Sequence, residues 1–215
     1  GDGLTSLSLA KNLINKNINV HIYKKKRLSK LPSGRTIGIT KNNLKFFTSE
    51  IQKIEKNNIW GINKIEIFSE KMKENKILNF ERKESNLFYM IKNNDLYKLL
   101  KDNLLKSKFY KEIQIKKNDT YKNILNKNYD LIINSDSNNL LAKKYFSKRI
   151  DKNYENIAYT TILKHEKIMN QTAIQIFTEF GPIAFLPISD VETSVVYSLE
   201  TTNKNAYERV IVLHS

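Results

Sequence analysis

Apolar residues recur at helical spacing near the start of the chain and again near its middle. The first helix is predicted to follow Gly1–Ser6, and its apolar positions are Leu7, Leu9, Ala10, Leu13 and Ile14. A second amphipathic helix is predicted over Asn93–Leu105, where leucines share one face. The segment Asn42–Ile54 also fits a helix. Helices therefore account for only part of the chain.

Short apolar or alternating runs predict strands between and after these helices. Val20–Tyr23 is the first, and others are predicted at 65–68, 77–80, 87–91 and 113–115. The run Tyr129–Asn134 is nearly continuous in apolar character, which is typical of a central parallel strand. From Ala158 onward, strands with short turns are predicted at 158–166, 173–178, 183–187 and 193–199. The last part of the chain should therefore form an antiparallel sheet.

The start of the chain has the order glycine turn, helix, strand. This order is the second half of a βαβ nucleotide-binding unit, and the first strand of that unit is expected just before residue 1. The chain also begins without methionine. We therefore expect it to be part of a longer protein.

Gly1 and Gly3 match the first two glycines of a G-x-G-x-x-G turn, and Ser6 stands at the third position. Such a turn lets the backbone approach a pyrophosphate, which the amino terminus of the following helix then binds. A short G-x-G is equally consistent with a plain turn. Folds of this kind commonly carry an acid for the adenosine ribose about 20 residues further on. Here that position is Lys24, whose ammonium group donates hydrogen bonds but cannot accept them.

Asp136 is the other candidate site residue, since it follows the apolar run Tyr129–Asn134. A carboxylate at the end of such a strand could position cofactor groups beside the crevice. It could equally belong to an Asx-type turn in the polar segment Ser135–Asn139. Spacing alone leaves both interpretations open.

Composition indicates a folded protein and excludes several chemistries. The 215 residues are 40% hydrophobic and include no cysteine, so disulfides, thiolate metal sites and a cysteine nucleophile are excluded. The histidines His21, His165 and His214 have no metal-ligand spacing, and no metal site is predicted. No apolar run reaches the roughly 18 residues of a membrane span, and the start does not resemble a signal peptide. We expect a cytoplasmic protein.

The formal net charge of +15 raises the alternative of a basic protein that binds nucleic acid or an anionic membrane surface. Lysine is scattered along the whole chain together with abundant asparagine and isoleucine. Basic runs such as Lys24–Arg27 are short. This pattern favours a compositionally biased, solvated surface, and no nucleic-acid partner is predicted.

Several segments together resemble the FAD-dependent hydroxylases of ubiquinone biosynthesis, a branch of the para-hydroxybenzoate-hydroxylase-like superfamily. Gly1–Ala10 resembles their opening turn and helix, and Arg35–Thr40 is similar to their R-x-x-A-L-S segment. Tyr89–Leu96 resembles Y-x-x-x-N-x-x-L, and Asp130–Asp136 resembles D-L-x-x-G-A-D-G. The most specific match is Glu179–Ile188, which fits E-x-G-P-x-A-x-L-P in a chain with only three prolines.

The resemblance implies an α/β fold: a Rossmann-like FAD-binding domain of the para-hydroxybenzoate-hydroxylase type with an antiparallel β-sheet substrate domain, both incomplete. Residues 1–150 would be the FAD-binding domain, with some strands belonging to the inserted sheet, and residues 151–215 the start of the substrate domain. The implied cofactors are FAD and, as reductant, NAD(P)H. The implied substrate is a polyprenylated phenol or quinone precursor. Peripheral association with the inner face of the membrane, or with a biosynthetic complex, would suit such a lipid-soluble substrate.

Carried over onto this sequence, the resemblance implies that Gly1, Gly3 and Ser6 line the FAD pyrophosphate. Arg35 would lie near the flavin crevice, and Asp136 would be the acid of the D-G motif. No catalytic residue is implied. The chain departs from the family at Ser6, Lys24, Ser137 and Lys143. These departures leave open a second hypothesis, a non-catalytic relative that acts as a scaffold in a biosynthetic complex.

Overall fold

The computed structural model describes residues 1–24, 34–71, 76–115, 125, 127–136, 139–145, 150, 152 and 154–200. Its α-helices are α1 (Leu4–Asn15), α2 (Lys41–Phe46), α3 (Asn93–Leu105) and α4 (Leu140–Tyr145). Its strands are β1 (Val20–Lys24), β2 (Thr36–Thr40), β3 (Trp60–Ile62), β4 (Lys64–Ser69), β5 (Lys76–Glu81), β6 (Phe88–Lys92), β7 (Tyr110–Gln114), β8 (Asn156–Lys164), β9 (Thr172–Thr178), β10 (Gly181–Pro187) and β11 (Glu192–Glu200).

The described residues fall into two units that do not follow a single boundary along the chain. Unit 1 comprises those in Gly1–Leu31, Ser49–Gln52 and Leu96–Lys152. Unit 2 comprises those in Pro32–Thr48, Lys53–Asp95 and Asn153–Ser215. Strands β2–β6 therefore belong to the same unit as β8–β11.

Unit 1 is built on the parallel pair β1 and β7, in register from Val20 opposite Tyr110 to Lys24 opposite Gln114. Helix α1 packs against β1 through buried Leu7 and Ile14. Helix α3 buries Leu96, Leu100 and Leu104 of its predicted leucine face, whereas Leu105 is 58% exposed. The predicted helices α1 and α3 and the predicted strand β1 are confirmed, because in each the apolar spacing matches the face that is buried.

The prediction of a central strand at Tyr129–Asn134 is wrong for the structure described. The segment belongs to no sheet, and Leu131 is 74% exposed. A strand requires a backbone partner as well as apolar side chains. Among the described residues of unit 1, the paired strands are β1 and β7, and neither pairs with this segment.

Unit 2 contains a six-stranded sheet in the order β5-β4-β9-β10-β11-β8 and a three-stranded sheet in the order β2-β6-β3. Strands β8, β11, β10 and β9 are antiparallel neighbours, which confirms the antiparallel sheet predicted for the last part of the chain. The pair β4 and β9 is parallel. Buried Ile62, Met90 and Ala173 form the core, which places residues of both sheets together.

The helix predicted at Asn42–Ile54 is shorter than expected. Helix α2 begins after Thr40, whose hydroxyl accepts from the Asn43 backbone N–H at 3.3 Å. It ends at Phe46, and one π-helical turn continues to Ile51. No residue of α2 is buried, so little tertiary packing extends the helix.

The segment Glu179–Ile188, which carried the most specific family match, contains the turn between β9 and β10. Gly181 has φ of +135°, and a Cβ built on it would lie 2.0 Å from the Ser198 carbonyl oxygen. The Thr178 hydroxyl donates to the Gly181 carbonyl at 2.7 Å. Glycine is therefore required at this position for both backbone conformation and space.

Candidate functional site

The glycine turn leads directly into α1, and Gly3 is the N-cap residue of that helix. Gly3 has extended backbone angles, and no side chain caps the helix. The first turn of α1 contains no acidic residue. Cβ atoms built on Gly1 and Gly3 meet no atom within 4 Å. The first backbone N–H groups of α1 are thus available to an anion, and a ligand could approach the backbone closely.

A cavity of about 640 Å³ lies beside this turn within unit 1. Its lining includes Gly1, Asp2, Ser6 and Asp136, and the apolar side chains come from α1, β1 and the segment 129–136. Pockets for small molecules and cofactors are commonly apolar cavities of several hundred cubic ångströms with few polar groups. Apolar surface predominates in this cavity, and its polar lining includes Asp2 and Ser6 at the glycine turn as well as His21, Tyr23 and Asp136.

Ser6 is held within unit 1 by a hydrogen bond between its hydroxyl and that of Ser135, at 2.7 Å. In the G-x-G-x-x-G turn the third glycine allows close packing of helix and strand. The serine here instead joins α1 to the segment after Tyr129–Asn134. Ser6 thus contributes a polar contact at the edge of the cavity.

Asp136 lies in a tight turn organised by asparagine side chains. Asn134 Oδ1 accepts from the Asp136 backbone N–H at 3.3 Å, and Asn134 Nδ2 donates to the Asp136 carbonyl at 3.1 Å. Asn139 Oδ1 accepts from the Ala142 N–H at 2.9 Å, near the start of α4. The Asx-turn interpretation therefore describes the local geometry, and Asp136 also lines the cavity. The role of Asp136 in positioning a cofactor stays a prediction.

The candidate residues are not all in one unit. Gly1, Gly3, Ser6 and Asp136 belong to unit 1, whereas Arg35 belongs to unit 2. The Arg35 carbonyl accepts from the N–H of Asn93, the first residue of α3, at 3.0 Å. Lys143 is in the last turn of α4. Ser137 lies outside the described residues, as does His214.

A polar cluster beside the glycine turn was not anticipated from the sequence. Tyr97 Oη, on α3, donates to Asp2 Oδ2 at 3.2 Å. Tyr110 Oη, on β7, donates to Glu112 Oε1 at 2.7 Å. Glu112 also forms ion pairs with Lys24 and Lys101. The sequence signal was available, because Tyr97 and Lys101 are one helical turn apart and Tyr110 and Glu112 share one strand face.

Burial raises the pKa of two tyrosines in unit 1. It is the main cause that raises the pKa of Tyr110 far above its ordinary value, with the nearby Tyr97 and Asp2 adding to the effect. Burial also raises the pKa of Tyr129, followed by its hydrogen bond with Tyr23 at 2.7 Å. The Tyr129 hydroxyl is also 2.7 Å from His21 Nδ1. These phenols therefore stay protonated and act as hydrogen-bonding groups at neutral pH.

Unit 2 has its own buried polar network, next to the end of β8. His165 follows β8 directly, and its Nε2 is 3.0 Å from the Thr193 hydroxyl. Asn170 Nδ2 donates to the Ser189 carbonyl at 2.8 Å and to the Thr193 hydroxyl at 3.0 Å. These bonds join two loops of the sheet, which gives His165 a structural role. Throughout the described residues, no group of three or more acidic or histidine side chains could hold a metal ion.

No family model matches the sequence, and no curated protein is similar to it at the sequence level. Solved structures do match its fold. PqsL, a probable FAD-dependent monooxygenase from Pseudomonas aeruginosa, is 9% identical with a TM-score of 0.69, and the match covers 97% of this chain and 60% of PqsL. The p-nitrophenol 4-monooxygenase PnpA from Pseudomonas putida DLL-E4 is 11% identical with a TM-score of 0.60, over 99% of this chain and 59% of PnpA.

The flavin-dependent halogenase CmlS is also similar, at 17% identity and a TM-score of 0.64, over 97% of this chain and 42% of CmlS. The chain shares the fold of these proteins, and it spans about 60% of the length of PqsL and PnpA. The expected α/β class of fold is confirmed. Across the described residues, no helix is long and apolar enough to cross a membrane.

Proposed function

We propose that this chain is the FAD-binding part of an FAD-dependent monooxygenase that hydroxylates the aromatic ring of a polyprenylated ubiquinone precursor. The observation that carries the proposal is the uncapped start of α1, opening on a 640 Å³ cavity in a chain with the fold of FAD-dependent monooxygenases. The residue pattern of Glu179–Ile188 supports the ubiquinone-type branch.

The residues present fit a dinucleotide at the glycine turn. Space around Gly1 and Gly3 leaves the backbone open, and the N–H groups at the start of α1 are suited to a pyrophosphate. Asp2 would repel phosphate, but Tyr97 binds its carboxylate from the side of α3. Gly1, Gly3, Ser6 and Asp136 would hold the cofactor within unit 1.

Bound FAD would supply the redox chemistry that transfers one oxygen atom of O2 to the ring, with NAD(P)H as electron source. The chain contributes binding and orientation. The apolar lining of the cavity, with Leu9, Leu13 and Ile22, would keep water from the bound group. The hydroxyls of Ser6 and Ser135, bonded to each other, would fix the position of α1.

FAD binding is the direct test. Titration of the protein into FAD should quench flavin fluorescence with saturable binding. The full-length protein with NADH or NADPH should then add one oxygen atom to a polyprenylated phenol, as detected by mass spectrometry. A folded protein that does not bind FAD would exclude the enzyme hypothesis. Binding without hydroxylation of any phenol would exclude the substrate assignment.

A non-catalytic scaffold is the second candidate, and the Ser6–Ser135 bond favours it. This bond places a side-chain contact within the chain where related folds use glycine. If the protein is a scaffold, the full-length chain should pull down the other members of a biosynthetic complex whether or not FAD is added. An enzyme should show FAD-dependent activity when purified alone.

A further inference from the structure

The Lys24–Glu112 ion pair combines a hydrogen-bond donor and an acceptor at one point on the surface of unit 1. The Lys24 side chain is 28% exposed and that of Glu112 is 15% exposed. Lys101, itself 15% exposed, also pairs with Glu112. The pair is therefore held in place from the α3 side while part of it remains accessible to solvent.

The location of this pair follows from the chain direction. Helix α1 runs into β1, and α3 runs into β7, so both helices begin near the carboxyl ends of these parallel strands. The bond between Tyr97 and Asp2 confirms that the two helix starts meet. Lys24 is the last residue of β1. The ion pair and the glycine turn therefore lie at the same edge of the sheet.

Polar side chains lie between these points. Asp2 accepts from Tyr97 at 3.2 Å, and both are near Tyr110. Tyr110 in turn donates to Glu112 at 2.7 Å. A dinucleotide bound with its pyrophosphate at Gly1–Gly3 would have its adenosine half directed toward this edge.

We infer that the Lys24–Glu112 pair is the subsite for the vicinal diol of the adenosine ribose. Glu112 accepts a hydrogen bond from the 2′-hydroxyl, and Lys24 donates to the 3′-hydroxyl while its ion pair holds the Glu112 carboxylate in place. The neighbouring strand β7 thus provides the carboxylate that β1 lacks, because Lys24 stands where related folds place an acid. A carboxylate has about four lone-pair positions, so Glu112 retains acceptor capacity beside its protein partners. This inference rests on the proposed binding of FAD.

Competition between ADP and 2′-deoxy-ADP for the FAD site isolates this contact. The two probes share the pyrophosphate and adenine and differ by one ribose hydroxyl. The wild-type protein should prefer ADP by on the order of tenfold, as expected for a hydrogen bond to a charged group. Glu112→Gln should reduce this preference to about twofold or less, because the amide is a weaker acceptor. The readout is a ratio and does not depend on absolute affinity.

Glu66→Gln is the matched control, because Glu66 also lies between two lysines, Lys64 and Lys76, but belongs to unit 2. It should leave the ADP preference unchanged. Lys24→Met is the second variant and keeps the test valid if Glu112→Gln fails to fold. It should also lower the preference.

Each outcome decides one of the two proposals. Wild-type protein that binds FAD but shows no preference for ADP overturns the ribose assignment and leaves FAD binding intact. An unchanged preference in a folded Glu112→Gln or Lys24→Met protein also overturns it. Wild-type protein that binds neither FAD nor ADP overturns the proposed function together with this inference.

Discussion

Gly3 and Gly181 need to be glycine for different reasons. Gly3 has ordinary extended angles and open space around its Cβ position, so the structure alone does not require glycine there. Gly181 has a positive φ and a backbone oxygen where a Cβ would be. A glycine without a structural requirement at the start of a helix is better explained by the approach of a ligand.

Gly3→Ala should therefore reduce FAD affinity by at least about tenfold, while the free energy of unfolding changes by less than about 1 kcal/mol. The added methyl group would lie where the pyrophosphate approaches the backbone. Fluorescence quenching measures the first quantity and urea denaturation the second. Gly38→Ala, in β2 of unit 2, is the control and should change neither by a comparable amount. Equal FAD affinity in the Gly3→Ala and wild-type proteins would contradict the binding role.

Glu66 provides a pH-dependent contribution to stability in unit 2. Hydrogen bonds from Lys76, at 2.5 Å, and from Lys64, at 2.9 Å, hold its pKa below the ordinary value of 4.5. The folded state therefore favours the carboxylate. This contribution is complete above the unfolded-state pKa and is lost as the pH falls through the lower folded-state pKa.

Glu66→Gln should lower the free energy of unfolding by about 1 kcal/mol at pH 7. The effect is modest because Lys64 and Lys76 are partly exposed, so solvent screens both ion pairs. The difference from wild type should shrink as the pH falls from 7 through the lowered folded-state pKa of Glu66, where the wild-type carboxyl takes up its proton. Urea denaturation across this pH range measures it. A difference that stays constant with pH would show that the ion pairs are not responsible.

At the scale of elements, the spacing of apolar residues predicted those helices and strands that bury one face of their own local sequence. Helices α1 and α3 were predictable because their apolar residues match the buried stripe, as was β1 from its apolar run. Tyr129–Asn134 was mispredicted because pairing depends on a neighbouring strand rather than on composition. Gly1, Ser6 and Asp136 line one cavity, and their role toward FAD stays a prediction. Glu112 was missed because its partner Lys24 is distant in sequence.

The β9–β10 hairpin depends on its glycine turn, and Gly181→Ala should destabilise the protein by at least about 2 kcal/mol. The estimate combines the strain of a positive φ with displacement of the Ser198 carbonyl from β11. Chemical denaturation followed by tyrosine and tryptophan fluorescence would measure the loss. Gly38→Ala serves again as control, since its added methyl group would make only ordinary contact with Phe88. Equal stability of the two variants would show that the turn relaxes.

At the scale of the whole molecule, the fold reveals a similarity to known proteins that the sequence identity does not. The fold matches that of PqsL over 97% of the chain, whereas the sequence identity to PqsL is 9%. Packing positions tolerate many apolar side chains, so a fold can persist after most identities have changed. Specific chemistry depends on few residues, such as Gly3 and Glu112, and their roles require direct tests.

The net charge of +15 also belongs to the whole molecule. If the positive charge is spread over the surface and forms no dedicated site, neutralising any pair of lysines should lower retention on heparin by a similar small amount. Chromatography with a salt gradient, comparing pairs from units 1 and 2, measures these steps. A single pair that abolishes retention would instead identify a dedicated polyanion site.

Strand β5 has a consequence for how the protein behaves at high concentration. It pairs with β4, forms one edge of the six-stranded sheet as described, and exposes Ile77, Leu78 and Phe80 by 43–49%. A register shift interrupts its pairing with β4 at Ile67 and Phe68, and charged Lys76 and Glu81 stand at its ends. Bulges and end charges are features that hinder edge-to-edge stacking of sheets. Replacing Lys76 or Glu81 by an apolar residue would therefore favour aggregation through β5 without changing the proposed cofactor site.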